Sequence, residues 1–343
     1  MAHTITRSPR GADSQFGFAV ETAYNDGTAV ASFLSATSGG IGIKPRVGVI
    51  ESAGRVPGRI SDPAGNSIVY DNGGEGSLTF ELQRKNLLKL WRWAIGHNAT
   101  PAQQAATIAY LTTFNKDATA ALMSNTGKSL SIQTGVPMRG GTVEPFNFKG
   151  VKCTGWEVSC DAGGIALATF NVDACSALHT VDLAAPSYPA EYVPLGWYSA
   201  GAVKRAGTVL PGVRSVKFAT ENGLTGEDYG LFDGTGLRAE PQLNGNVGAT
   251  LELEIEPSDL ALTYDDWLSN TPRAWVFELV GATIASTYKY TWRVTIAEGY
   301  IQGEPPAADS GDEMVTHSLT IKANDNGTDP LYKVEVMETA TTI

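Results

Sequence analysis

Apolar and polar residues alternate with a period of two along most of the regular stretches of this chain. The segment Ser77-Leu78-Thr79-Phe80-Glu81-Leu82-Gln83 reads as a half-buried strand on that pattern. The same alternation predicts strands over Ser129–Gln133, Phe146–Lys152, Thr154–Ser159 and Ala166–Val172, the last two separated by a Gly163-Gly164 turn. One stretch changes period. From Asn86 to Ile95 the apolar residues 87, 90, 91, 94 and 95 recur at helical spacing, and Gly96 is placed to end the helix. Lys85, Lys89 and Arg92 fall on the wet side of that helix, as a solvated face requires, and do not form a nucleic-acid grip.

The second half repeats this order. A strand over Ala249–Ile255 answers 77–83, and after Pro257 the segment Leu262–Leu268 takes the place of the helix. Trp275–Gly281 then parallels 129–133, Tyr288–Ile296 parallels the stretch from Phe146 to Ser159, and His317–Ala323 answers 166–172. Five elements in one order predict a tandem duplication, although any two antiparallel meanders share some of this likeness. The expected organisation is an extended arm over 1–45, a first β domain over 46–190, a linker over 191–211 and a second β domain over 212–343. The linker expectation rests on Pro186, Pro189, Pro194 and Pro211. The arm expectation rests on a run of small and polar residues carrying the apolar anchors Phe16, Phe18, Val20, Tyr24, Phe33 and Leu34.

Composition sharpens this picture in two places. Gly is abundant at 38 residues, and turn dipeptides such as Asn72-Gly73, Asn222-Gly223 and Asn326-Gly327 favour many short strands. No apolar run approaches the ~18 residues of a membrane helix, and the basic start has no apolar stretch behind it, so neither a span nor a secretory signal is expected. Cys153, Cys160 and Cys175 are odd in number and lack CxxC spacing, which suits free thiols made in a reducing cytoplasm. The net charge of -11 is unevenly distributed. Residues 1–206 carry 17 Lys+Arg and 15 Asp+Glu, and residues 207–343 carry 8 and 21, so the whole acidic excess lies in the second half.

Candidate chemistry is sparse. The Gly127-Lys128-Ser129 triplet has Leu122 where a phosphate-binding loop needs its first Gly, and the four histidines show no ligand spacing. The Asn324–Asp329 stretch has the composition of a calcium loop but not its register, and a hairpin turn explains it better. No GxSxG, no paired nucleophile and base, and no basic stripe interleaved with aromatics occurs, so no cofactor or active site is expected. Glu252, Glu254 and Glu256 are spaced to share one face of a strand, where they form either a wet sheet surface or an acidic row.

The order of these elements resembles that of the tail tube proteins, or major tail proteins, of long-tailed bacteriophages. The resemblance is carried by Gly17-Phe18-Ala19-Val20-Glu21-Thr22-Ala23-Tyr24-Asn25 followed by Phe33-Leu34, similar to a "G-x-x-x-E-T-x-Y" opening. It continues in the Gly76-Ser77 strand, the Leu-rich helix ending in Gly96, the stretch from Phe146 to Val172, and the final segment from Ile321 to Val336. It spans nearly the whole chain through joint order, with no single diagnostic motif.

The resemblance implies a mainly β, antiparallel β-sandwich or barrel fold with a flanking α-helix. It also implies assembly of copies, edge to edge, into rings that stack as a virion tail tube assembled in the host cytoplasm. DNA would pass through the lumen without specific binding, and the partners implied are the tape measure, tail terminator and distal tail proteins. With a duplicated chain, a trimeric pseudo-hexameric ring is preferred over a true hexamer. Glu252, Glu254 and Glu256 are then the candidate lumen-lining row, and Phe16, Phe18, Tyr24 and Phe33 the candidate inter-ring contacts. A sugar-binding or adhesive β-sandwich stays open as an alternative, with Trp197-Tyr198 as its best exposed aromatic pair; an enzyme is the weakest reading.

Overall fold

The computed structural model describes residues 14–51, 67–116, 128–139, 141–196, 202–224, 239–243, 245–256, 263–303 and 316–343. In chain order the first half gives β1 (Gln15–Val20), β2 (Ser32–Phe33), β3 (Lys44–Glu51), β4 (Ser67–Glu81), α1 (Leu88–Ile95), β5 (Ala102–Gln103) and β6 (Tyr110–Lys116). There follow β7 (Leu130–Pro137), β8 (Val143–Asp161), β9 (Leu167–Ala174) and β10 (Ser176–Leu178). The second half gives β11 (Ala202–Arg205), β12 (Thr208–Val209), β13 (Val213–Glu221), β14 (Gly248–Ile255) and α2 (Tyr264–Ser269). Last come β15 (Arg273–Ala285), β16 (Tyr288–Gln302), β17 (His317–Ala323) and β18 (Tyr332–Glu338).

All named strand pairs are antiparallel, as the alternation and turn chemistry require. One layer runs β3-β4-β9-β8-β13-β14-β17-β16. Behind it lie two shorter runs, β2-β1-β7-β8-β10 and β12-β11-β15-β16-β18-β6-β5. The strands β8 and β16 therefore each serve both layers. In β8 the change of partners falls between Lys149 and Gly155, a stretch that holds Gly150, whose φ of 60° suits a residue without a Cβ, and a register shift between Cys153 and Gly155. This is why the two strands expected over 146–152 and 154–159 are one.

The pairings of one half recur in the other. The pairs β1 with β2, β1 with β7, β7 with β8, β8 with β10, β8 with β9, β9 with β4, and β4 with β3 have counterparts in β11 with β12, β11 with β15, β15 with β16, β16 with β18, β16 with β17, β17 with β14, and β14 with β13. Among the described strands only β5 and β6 break the correspondence, by adding to the other edge of β18.

The two halves share one hydrophobic core. At its centre Trp91 of α1 packs its ring 5.1 Å from Trp156, 5.3 Å from Phe170 and 5.7 Å from Trp292, joining strands of both halves. Layer meets layer through Phe16 on Phe80 at 5.2 Å and Phe218 on Tyr332 at 5.4 Å. Such tilted and edge-on contacts are the arrangements that the ring quadrupoles favour. Gly96 ends α1 in the left-handed conformation at φ 80°, with its N–H on Arg92 O, as the sequence predicted.

Three expectations change. Residues 15–20 are not an arm extended from the body: β1 pairs with β7, and Phe16 and Phe18 are buried in the common core. The stretch over 191–211 does not simply link, because Leu195 donates to Leu82 O and accepts from Ala166 N–H, and β11 adds to β15. Finally, the turn over 324–331 joins no hairpin. It carries the chain from β17 to β18, which lie in succession along one edge of β16, and Asn326 Oδ1 accepts the N–H groups of Thr328 and Asp329 within it.

Removing the indole that joins the halves should destabilise both. Trp91→Ala is expected to lower unfolding free energy by about 3–5 kcal/mol in denaturant titration, with loss of cooperativity absent because one core melts as a unit. A loss under about 1 kcal/mol would contradict a shared core.

Candidate functional site

The quoted N-terminal segment acts as a clamp. Glu21 is buried, and its carboxylate accepts from Ser131 Oγ at 2.8 Å, Gly150 N–H at 3.0 Å and Asn25 N–H at 3.0 Å, tying β1, β7 and the bend of β8 together. A Cβ on Gly17 would strike Val30 and Phe33, so glycine lets the following strand close down. Tyr24 lies under the buried ammonium of Lys152, 5.5 Å from the ring centre, and Lys152 pairs with Glu240 at 2.6 Å. Phe33 packs edge-on against Tyr188 at 6.0 Å. Phe16, Phe18 and Phe33 are thus buried within their own chain and Tyr24 is engaged by Lys152, so this conformation does not present them to a neighbour. Sequence reasoning found the segment but not the role of Glu21, because a lone glutamate carries no sign of its burial.

The outward face of the eight-strand layer is polar. Glu252 and Glu254 project from it on β14, with Glu256 just past the strand, as the period of two predicts. Their surroundings are mixed: Glu252 stands opposite Lys217 and Thr320, Ser215 Oγ reaches Glu254 at 3.4 Å, and Arg214 pairs with Glu256 at 2.6 Å. Lys217 also pairs with Glu157 of β8 at 3.1 Å, which raises the affinity of its ammonium for the proton. On this face Glu157, Asp161, Glu221, Glu252, Glu254 and Glu256 outnumber Arg214, Lys217 and Lys322, leaving it acidic. A groove of about 1280 Å³ lies where this layer meets β6 and the turn after β17, lined among others by Asn115, Lys116, Glu157, Glu221, Glu252 and Asp325. The corresponding strand of the first half, β4, presents Ser77, Thr79 and Glu81 instead.

A two-stranded ribbon extends from one end of this layer. Residues 45–51 of β3 pair with 67–74 of β4, whereas β9 accompanies β4 only from Gly74 onward. Val47, Val49 and Val69 on it are 56%, 48% and 60% exposed. A lone two-stranded ribbon is marginal in water, and apolar side chains on one are unusual without a partner.

A family model described as phage tail tube protein matches residues 11–323. The chain belongs to the phage tail tube protein family. No curated protein matches it individually. Membership makes this a structural protein with no enzymatic role, a self-assembling component of the tail tube located in the virion tail. The match includes the clamp and the helix and stops at the end of β17, before β18.

Among the described residues no group of three His, Cys, Asp or Glu is placed to hold a metal ion, and no helix is long and apolar enough to cross a membrane. The three cysteines are buried and not joined in disulfides, and burial pushes the Cys153 thiol up to about 12, so it stays protonated and unreactive. Trp197 and Tyr198, the pair that favoured sugar binding, lie outside the described residues. Asp266, buried on α2, is held by Arg205 and by Arg273 at 3.0 Å and fixes that helix to β11 and β15. That ion pair, like the Glu21 clamp, is structural and was not visible in the spacing of the sequence.

Two measurements check the clamp and its surroundings. Glu21→Gln keeps one acceptor oxygen but turns an amide toward Asn25 N–H, and is expected to cost about 1–3 kcal/mol of stability; an unchanged denaturation midpoint would remove Glu21 from the fold's supports. Glu338, at the end of β18, is buried beside Lys85, and burial pushes its carboxyl up to about 7 from 4.5. Below pH 4.5 both folded and unfolded chains hold this proton and nothing is lost. As pH rises from there to 7 the unfolded chain ionises first, so folding loses about 3 kcal/mol. Glu338→Gln should therefore raise the melting temperature at pH 8 and leave it unchanged near pH 4, and the reverse pattern would refute the assignment.

Proposed function

We propose that copies of this tail tube protein close, three to a ring, into a barrel whose rings stack to form a DNA-conducting channel. The observation that carries this reading is the eight-strand layer itself, which has a mainly polar outward face and, among the described residues, ends on strands paired along one side only. Exposed edges of that kind invite further pairing, and closure into a barrel removes them. Each half supplies the same four strands in the same order, so the chain is a tandem duplication and three copies do the work of six single units. Twenty-four strands at about 4.8 Å spacing and a tilt near 40° enclose a backbone barrel on the order of 50 Å across, which leaves room for a duplex inside the side-chain lining.

The polar face of β14 and its neighbours lines the channel, and the ribbon of β3 and β4, with its exposed valines, reaches the adjacent ring. The tape measure, tail terminator and distal tail proteins are the other partners, and assembly takes place in the host cytoplasm. DNA slides because the wall is acidic. Each phosphate neutralised by a cation would release counterions and hold the duplex, whereas like charge within a Debye length of ~8 Å keeps it off the wall. Since β14 carries Glu252 and Glu254 where β4 carries Thr79 and Glu81, acid alternates around the ring with the two halves.

Electron microscopy of purified protein should show rings or tubes with three chains per ring by mass; six chains per ring would refute the trimer. In virions, replacing Glu252 and Glu254 together by Lys should slow DNA release at low salt more than at high salt while tubes still form. Release that is unaltered at both salts would take the β14 face out of the lumen.

A further inference from the structure

We propose that the ring closes by repeating, between copies, the strand junction that already joins the two halves within one chain: residues 41–44 of one copy pair antiparallel with residues 300–303 of the next. This inference rests on the tube reading above and deepens it by naming the contacting strands and their register.

The internal junction pairs β13 with β8, with Phe218 opposite Val158, Ala219 opposite Glu157, Thr220 opposite Trp156 and Glu221 opposite Gly155. The matching ladders of the two halves identify the counterparts. Leu251 stands opposite Ile321, as Leu78 stands opposite Phe170. Phe218 pairs with Leu251, and Ile41 bridges Leu78 in the same antiparallel sense. Ile301 lies opposite Ile321, as Trp156 lies opposite Phe170. Ile41 thus takes the place of Phe218, and Ile301 that of Trp156. The register that follows is Ile41 with Gly303, Gly42 with Gln302, Ile43 with Ile301 and Lys44 with Tyr300.

Four features of the chain agree with that register. The pleat matches, since Ile43 and Ile301 both point into the core layer while Lys44 and Gln302 point outward. Both edges are available: among the described residues the 41–44 segment has only β4 beside it, and β15 leaves β16 at Gly299, so that residues 300–302 pair with β17 alone. The junction also has defined ends. Pro45, which has no N–H, stands where Asn222 donates to Thr154 O in the internal copy. Finally, the internal junction is sealed at α1, where Asn222 Nδ2 donates to Ala94 O at 2.9 Å, while at α2, the counterpart helix, Leu268 is left 67% exposed.

The test places a disulfide across the junction. Directly opposed antiparallel residues have Cα atoms about 4.5–5.5 Å apart, within reach of a disulfide, and a shift of two residues puts them beyond about 7 Å. Lys44→Cys with Tyr300→Cys should give covalent dimers and closed rings on oxidation of assembled tubes. Lys44→Cys with Gln302→Cys should give at least tenfold less. Equal yields, or tubes in which neither pair cross-links, overturn this pairing while leaving the tube reading intact. Wild-type protein that never polymerises overturns the tube reading, and this pairing with it. Hydrogen exchange of the unsubstituted chain guards against variants that fail to assemble: amides of 41–44 and 300–303 should slow on polymerisation, and unchanged exchange in both segments would also overturn the proposal.

Discussion

An antiparallel layer has two edges, and the backbone groups along them need hydrogen-bond partners that the layer cannot supply from inside itself. Much of this structure is explained by how it meets that constraint. The second layer ends some edges by capping them with short strands: β5 and β6 extend the β18 side, and β12 folds back on β11. The eight-strand layer is treated differently. It is carried across the midpoint of the chain by the pairing of β8 with β13, so that the C-terminal end of the first half is covered by the start of the second. The outer ends, at β3 and at the end of β16, receive no such cover among the described residues. A chain that solves the problem once internally and leaves the same edges bare externally is suited to repetition.

The long strands β8 and β16 make this arrangement possible. Each pairs with one layer through its first part and the other through its last, so the layers cannot slide independently. A bend of that kind exposes backbone groups, and at Gly150 the exposed N–H is met by the Glu21 carboxylate. The buried charge is balanced by three donors and by the nearby Lys152, whose ammonium loses proton affinity through burial while Glu240 and Glu21 restore some of it. Behind the bend, Trp91 and its aromatic neighbours fill the space between layers. The clamp, the bend and the aromatic centre are thus mutually dependent, which fits the family match running unbroken through all three.

Strands with strict alternation were legible from the residues alone. Ala249–Ile255 and His317–Ala323 fall where the period of two put them, Ser77–Glu81 is the end of a longer strand that begins at Ser67, and Gly96 stops α1 where the helical period ended. Several strands escaped notice, β13 and β6 among them for a physical reason. β13 has few apolar residues, Val213, Val216 and Phe218, and β6 interleaves threonines with a single buried Phe114, so neither stands out from loop composition. The N-terminal residues misled in the opposite direction. Phe16 and Phe18 are apolar anchors of β1, but their target is the core of their own chain rather than another molecule, and no local pattern distinguishes those two targets. For the acidic row, the shared face followed from spacing, whereas its neighbours Lys217, Arg214 and Ser215 come from a strand that the alternation did not reveal.

Those neighbours alter what the net charge means. Read as a sum, the acid of residues 207–343 describes a strongly repelling surface. On the sheet, Glu256 is paired with Arg214, and Glu157 with Lys217, so part of the charge is compensated within a few ångströms and contributes little at longer range. What remains toward solvent is a modest acidic bias on a surface otherwise made largely of Ser, Thr and Asn, with Leu167 exposed among them. In the proposed channel, where a polyanion would cross this surface without stopping, that combination has a physical advantage over either extreme. A cationic wall would bind phosphate and release counterions. A densely anionic wall would gather its own cations and press against its neighbours in the ring, destabilising the closure it lines. Compensating part of the acid in place would keep a wall of the proposed channel non-adhesive without setting its strands against one another.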